Sequence, residues 1–102
     1  MLTYEKVLKV FGPYLAADPD YEVVQTRHGY TLMGWNNNRE EWFCTDFCQT
    51  PEKLRDALLD AYENYLEFVV LDVDRDPTES EKLEIRNKRQ ALYEKCMKEG
   101  TE

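Results

Sequence analysis

The chain has 102 residues, 12.2 kDa and 42% apolar content, which suffices for one small domain with a modest core. Thirteen Lys and Arg against twenty-one Asp and Glu leave a net charge of −8, which disfavours counterion-release binding to bare nucleic acid and repels an anionic lipid leaflet. The longest uninterrupted apolar run, Phe68 to Leu71, is too short for a membrane span of about 20 residues or a secretory core of about 7–15, so the chain reads as cytoplasmic.

Thr3 is a candidate N-cap. After it Tyr4, Val7, Leu8, Phe11, Tyr14 and Leu15 recur at three- and four-residue intervals, which predicts a helix over 4–17. Gly12-Pro13 calls for a kink or break inside it, and Asp18-Pro19-Asp20 ends it.

Three runs rich in β-branched and aromatic residues follow, at 21–27, 30–35 and 40–47, separated by His28-Gly29 and by an Asn-rich stretch. They predict an antiparallel meander. Two-residue turns at His28-Gly29 and Asn37-Asn38 would pair Leu32 with Phe43 and Met33 with Trp42. One face would then carry Val23, Tyr30, Leu32, Phe43 and Phe47, and the other Val24, Met33, Trp35, Trp42 and Cys44. A sheet with two apolar faces must be covered on both, and so short a chain invites a second molecule to supply part of the cover. Trp35 and Trp42, flanking the Asn-rich turn, are the candidate aromatic interface, with a core role as the competing assignment.

Thr50-Pro51-Glu52 opens a second helix, predicted over 51–71, with a capping hydroxyl, proline at the first position and an early acid at the positive dipole end. At 100° per residue, Glu52, Asp56, Asp60, Glu63 and Glu67 share one arc, and Leu54, Ala57, Leu58, Ala61, Tyr65, Phe68 and Val69 gather opposite. This helix is expected to organise the core. Thr78-Glu79-Ser80-Glu81 matches a capping box and predicts a third helix over 79–99, stopped by Gly100. Its apolar stripe is thin and Glu84/Lys88 and Glu94/Lys98 form i,i+4 pairs, so it should lie peripherally or meet a partner. The order helix, three-stranded meander, two helices (αβββαα) defines an α+β fold in one domain over 1–102.

Several constellations bear on chemistry. Ser80 is the only serine and His28 the only histidine, and four scattered glycines build no phosphate-cradling loop, so neither a Ser/His hydrolase nor a nucleotide fingerprint is present. Cys48, just before the cap of the second helix, is the best nucleophile candidate, with His28 brought opposite Phe47 by the expected register. A cysteine-dependent enzyme is the third-ranked reading. The odd set Cys44, Cys48 and Cys96 reads as reduced thiols. On one strand Cys44 and Cys48 would sit about 13 Å apart, too far for a disulfide or a shared zinc. Asp72-Val73-Asp74-Arg75-Asp76 begins like an EF-hand loop, but Pro77 and Leu83 occupy the positions that need Gly and Glu. No catalytic, metal or cofactor residue is assigned.

The acids along the second helix, continued by Asp72, Asp74 and Asp76, form a candidate acidic interaction face. Carboxylates every helical turn are spaced to imitate phosphates and to enter the groove of a basic nucleic-acid-binding protein, and equally suit a solvated surface.

Residues 4–8 (YEKVL), 20–24 (DYEVV), 27–31 (RHGYT) and 50–59 (TPEKLRDALL) together resemble short reading frames of prophages and conjugative elements of anaerobic gut bacteria. The resemblance spans about residues 3–70 and carries no catalytic residues. It implies a mobile-element accessory protein that acts by binding. The reading is therefore a non-enzymatic, acidic protein–protein interaction module, with homodimerisation expected. The alternative is a nucleic-acid mimic that blocks a host DNA- or RNA-binding defence protein of the restriction or CRISPR kind.

Overall fold

The computed structural model, which describes residues 1–101, has the expected order of elements. Helix α1 (Tyr4–Ala17) is followed by β1 (Tyr21–Thr26), β2 (Gly29–Asn36) and β3 (Glu41–Cys48). Helix α2 (Pro51–Tyr65) continues as a π-helical segment (Leu66–Leu71), and α3 (Glu79–Thr101) completes the α+β fold.

Thr3 caps α1 by accepting from the Lys6 N–H at 3.2 Å. The helix runs unbroken across Pro13 instead of ending there. Gly12 explains part of this tolerance: a proline ring clashes with the Cβ of a preceding helical residue, and glycine has none. Val7, Phe11 and Tyr14 are buried, and extended Asp18 terminates the helix. The buried Asp18 carboxylate accepts from the Tyr14 hydroxyl at 2.7 Å and from the Asp20 N–H at 3.0 Å, which fixes the direction in which the chain enters β1.

The sheet is antiparallel in the order β1-β2-β3. Its register departs from expectation. Thr26 pairs with Gly29, so Arg27-His28 make the first turn. The second turn holds four residues, 37–40, because Asn36 pairs with Glu41. Asn36 Oδ1 accepts from the N–H groups of Asn38 and Arg39, building an Asx-type turn, and Glu40 takes φ 52° to close it. Trp35 accordingly faces Trp42, Gly34 faces Phe43 and Met33 faces Cys44, two residues away from the expected pairing.

A β-bulge then shifts the ladder between Leu32 and Met33. Thr45 is the extra residue, and its hydroxyl donates to the Leu32 carbonyl at 2.9 Å. Beyond it every side chain of β3 changes face. Cys48, opposite Tyr30, turns into the core at 1% exposure, whereas Phe47, expected beside Leu32, turns outward at 45%.

Helix α2 packs on the inner sheet face and touches both other helices, as its broad apolar arc requires. Leu54 and Leu58 are fully buried against Phe11, Val7 and Leu32. Burying each such large side chain stabilises the fold by about 1.5–3 kcal/mol. The second half departs from expectation. From Leu66 the hydrogen bonding widens to i→i+5, as in the Asp72 N–H to Glu67 carbonyl bond of 3.3 Å, until Asp72 stops the helix at φ 44°. Phe68 and Val69, expected in the buried arc, are exposed at 67% and 51%.

The capping box of α3 forms as read: the Glu81 N–H donates to Thr78 Oγ1 at 3.2 Å, and the Thr78 N–H donates to Glu81 Oε1 at 2.8 Å. Gly100 does not stop this helix, which continues to Thr101 while Gly100 lies against Leu2. Lys88 pairs with Glu84 at 3.5 Å, whereas Glu94 accepts from Gln90 instead of pairing with Lys98. The core cluster joins all three helices to the inner sheet face, and the Cα trace spans 41 × 36 × 18 Å.

Candidate interaction surfaces

Cross-strand partners share a face, so the register fixes what the outer side of the sheet displays. It presents Val24 from β1, Met33 and Trp35 from β2, and Trp42, Cys44 and Phe47 from β3. None of these belongs to the core cluster or packs against it, and Val24, Trp42 and Phe47 each keep more than two fifths of their surface exposed. Trp35 and Trp42 meet edge to face at 5.2 Å between ring centroids, each holding the other's orientation. The two tryptophans read from the sequence as an interface are thus neighbours on the outer face, and each also borders helical residues at its edge: Trp35 shares a cleft with Phe68 and Val69, and Trp42 one with Leu8 and Leu15. Phe47, which sequence reasoning placed inside, joins them through the bulge.

A second apolar region lies at the end of α2. Phe68 and Val69 border an open cleft of about 210 Å³ with Tyr21, Trp35 and Phe43 across it and Asp18 and Asp20 at its rim. Val70 is exposed at 55%, next to a smaller depression of about 120 Å³ shared with Leu71 and Ile85.

The acidic row is real but partly occupied. Glu52, Asp56 and Asp60 are exposed, and Glu63 and Glu67 are half-buried. Arg89 of α3 reaches across to donate to Asp60 Oδ1 and Glu63 Oε2, both at 2.8 Å. Arg55 Nε donates to Asp56 Oδ1 at 2.9 Å while its guanidinium lies 5.0 Å from the centre of the Tyr93 ring. Glu67 shares a groove with Lys82 and Arg86. Two acids of the row thus hold α3 through Arg89, while Lys82 pairs with Glu79 of its own helix and Arg86 lines the groove beside Glu67. Reading each helix alone does not reveal this Arg89 contact. Asp72, Asp74 and Asp76 are exposed in the connecting loop, which Arg75 ties to Glu81 at 2.7 Å.

The Cys48 thiol is buried, at 1% exposure. Its burial, then the charge of Asp46, push its pKa up. Its Sγ donates weakly to the Asp46 carbonyl, and His28 is exposed on the first turn. Burial likewise pushes Cys96 up to about 11. Cys44, Cys48 and Cys96 are all free, and among the described residues no three of His, Cys, Asp and Glu converge as a metal site. No helix among them is long and apolar enough to cross a membrane. Comparison with protein-family models, curated proteins and solved structures finds no match.

Proposed function

We propose that the chain is a non-enzymatic protein–protein interaction module that binds through the outer face of its sheet and serves as a cytoplasmic accessory protein of a mobile element. The single observation that carries the binding is the Trp35–Trp42 pair on a sheet face whose side chains lie outside the core cluster. Paired aromatics on a flat, apolar, low-charge surface are the usual anchors of a protein contact. The mobile-element context rests only on the resemblance over about residues 3–70 described above.

Nucleic-acid mimicry by the acidic row is the competing reading, and the internal ties of Asp56, Asp60 and Glu63 to Arg55 and Arg89 weigh against it. Capture experiments with tagged chain separate the two. An apolar sheet contact persists in about 0.5 M salt, where charges more than a few ångströms apart are screened, and is lost in Trp42→Lys. Mimicry predicts the reverse: capture that fails in salt and in the Asp56→Lys/Asp60→Lys/Glu63→Lys/Glu67→Lys variant but survives Trp42→Lys.

A further inference from the structure

We infer that the occupant of the outer sheet face is a second copy of this chain, docked sheet to sheet about a two-fold axis. The inference rests on the reading of that face as the binding surface and names its partner.

Charge supports the choice of partner. The chain carries a net charge of −8, so two copies repel wherever their acids meet. On the outer face of the ladder the strands contribute a single charged side chain, Glu22, on an edge strand. The acids of α2 lie on the helical side of the slab. Back-to-back stacking therefore brings together the one broad surface with almost no charge and sends both helical layers outward. A partner selected by this protein's negative charge would find nothing to grip there. An apolar face of this kind is complementary to itself, as a two-fold interface requires.

Shape and area agree. A Cα slab only 18 Å thick with one bare sheet face is half of a four-layer helix–sheet–sheet–helix sandwich, in which the sheets pack about 10 Å apart. Three strands of six to eight residues cover about 14 by 26 Å. Allowing for side-chain relief, the pair would bury on the order of 1,000 Å², the lower bound for a specific interface. An interface at that lower bound is expected to be weak and reversible, with a Kd on the order of 10 μM as the working value.

The test uses purified full-length chain between about 1 and 500 μM, a range that brackets that Kd. Sedimentation equilibrium gives the mass, and the alkylation rate of Cys44 gives the surface, because Cys44 alone of the three thiols is exposed. Expected is a rise from 12.2 kDa toward twice that mass, with Cys44 protected in step. Trp42→Lys, and separately Val24→Lys, should weaken association at least about 30-fold. Val70→Lys, on the π-helical patch, should leave it unchanged. Circular dichroism identifies a variant that fails to fold, in which case the other variant and the wild-type Cys44 protection decide. A monomer throughout, or a dimer insensitive to both sheet variants, overturns the inference. If the monomer still captures another protein in a Trp42-dependent way, the broader reading of the face stands. If Trp42→Lys changes neither mass nor capture, that reading falls too.

Discussion

Two glycines in the sheet make nearly equal close approaches against different neighbours, and replacing each by alanine should separate strain from adaptable contact. At Gly29 an added Cβ would lie 2.7 Å from the Cys48 carbonyl oxygen, and the backbone sits at φ +138°, where side chains are strained. That same oxygen accepts from the Tyr4 hydroxyl at 3.1 Å, a bond that ties α1 to the end of β3. The dihedral alone should cost about 1–3 kcal/mol and loss of the hydrogen bond about 1 more. Gly29→Ala is therefore expected to destabilise by about 2–4 kcal/mol, a fall in Tm of roughly 10–25 °C for a chain this size. At Gly34 the closest atom, Phe43 Cζ at 2.8 Å, belongs to a ring that is 45% exposed and free to turn. Moving it off its rotamer costs about 0.5–1.5 kcal/mol, offset in part by the better strand propensity of alanine. Urea unfolding of both variants, followed by circular dichroism, measures the difference. A Gly29→Ala protein within about 0.5 kcal/mol of the parent, or one more stable than Gly34→Ala, would refute the reasoning.

Tyr14→Phe removes a hydroxyl that donates at 2.7 Å to buried Asp18, so it should cost about 1.5–3 kcal/mol by the same unfolding assay; a loss under about 0.5 would show that the Asp20 N–H suffices. The Arg75 guanidinium and the Thr78 N–H hold the Glu81 carboxyl well below its ordinary 4.5, at about 2. A depressed acid stabilises the folded chain above its ordinary pKa and loses that contribution as pH falls through the folded value, so the start of α3 should fray between about pH 4.5 and 2. Carboxyl carbon NMR should place the Glu81 midpoint near the lower end of that window, and Arg75→Ala should raise it; a parent midpoint near 4.5 would contradict the ion pair.

The elements that sequence reasoning located correctly are those with local chemical signals. Thr3, Thr50 and Thr78 each accept an N–H three residues on, as caps read from one residue and its neighbours. The stripe Val7, Phe11 and Tyr14 is buried because helical periodicity needs no knowledge of the rest of the fold. The departures lie where tertiary structure chooses between local options. Asn36-Asn37-Asn38 suits several turns, and only the Asn36 Oδ1 acceptor reaching two N–H groups selects the longer one. Gly100 remains helical, with Leu2, 98 positions away in the chain, lying beside it. The acidic row was visible as a row. That Arg89 closes on Asp60 and Glu63 required pairing two helices by their complementary charges instead of reading each alone.

The bulge at Thr45 links fold to surface most directly. Strand pairing without an extra residue would leave Phe47 on the side of Leu32, inside, and would send Cys48 outward. With Thr45 inserted, the small thiol fills the inner position opposite Tyr30, beneath the Tyr4 hydroxyl bond, and Phe47 moves to the face that already holds Trp42. At 45% exposure Phe47 forgoes somewhat under half of the roughly 1.5–3 kcal/mol that full burial of a phenylalanine gives, and burial of Cys48 offsets part of that. The bulge thus exchanges a phenylalanine for a thiol inside and adds one aromatic ring to the outer face beside Trp42 and Cys44.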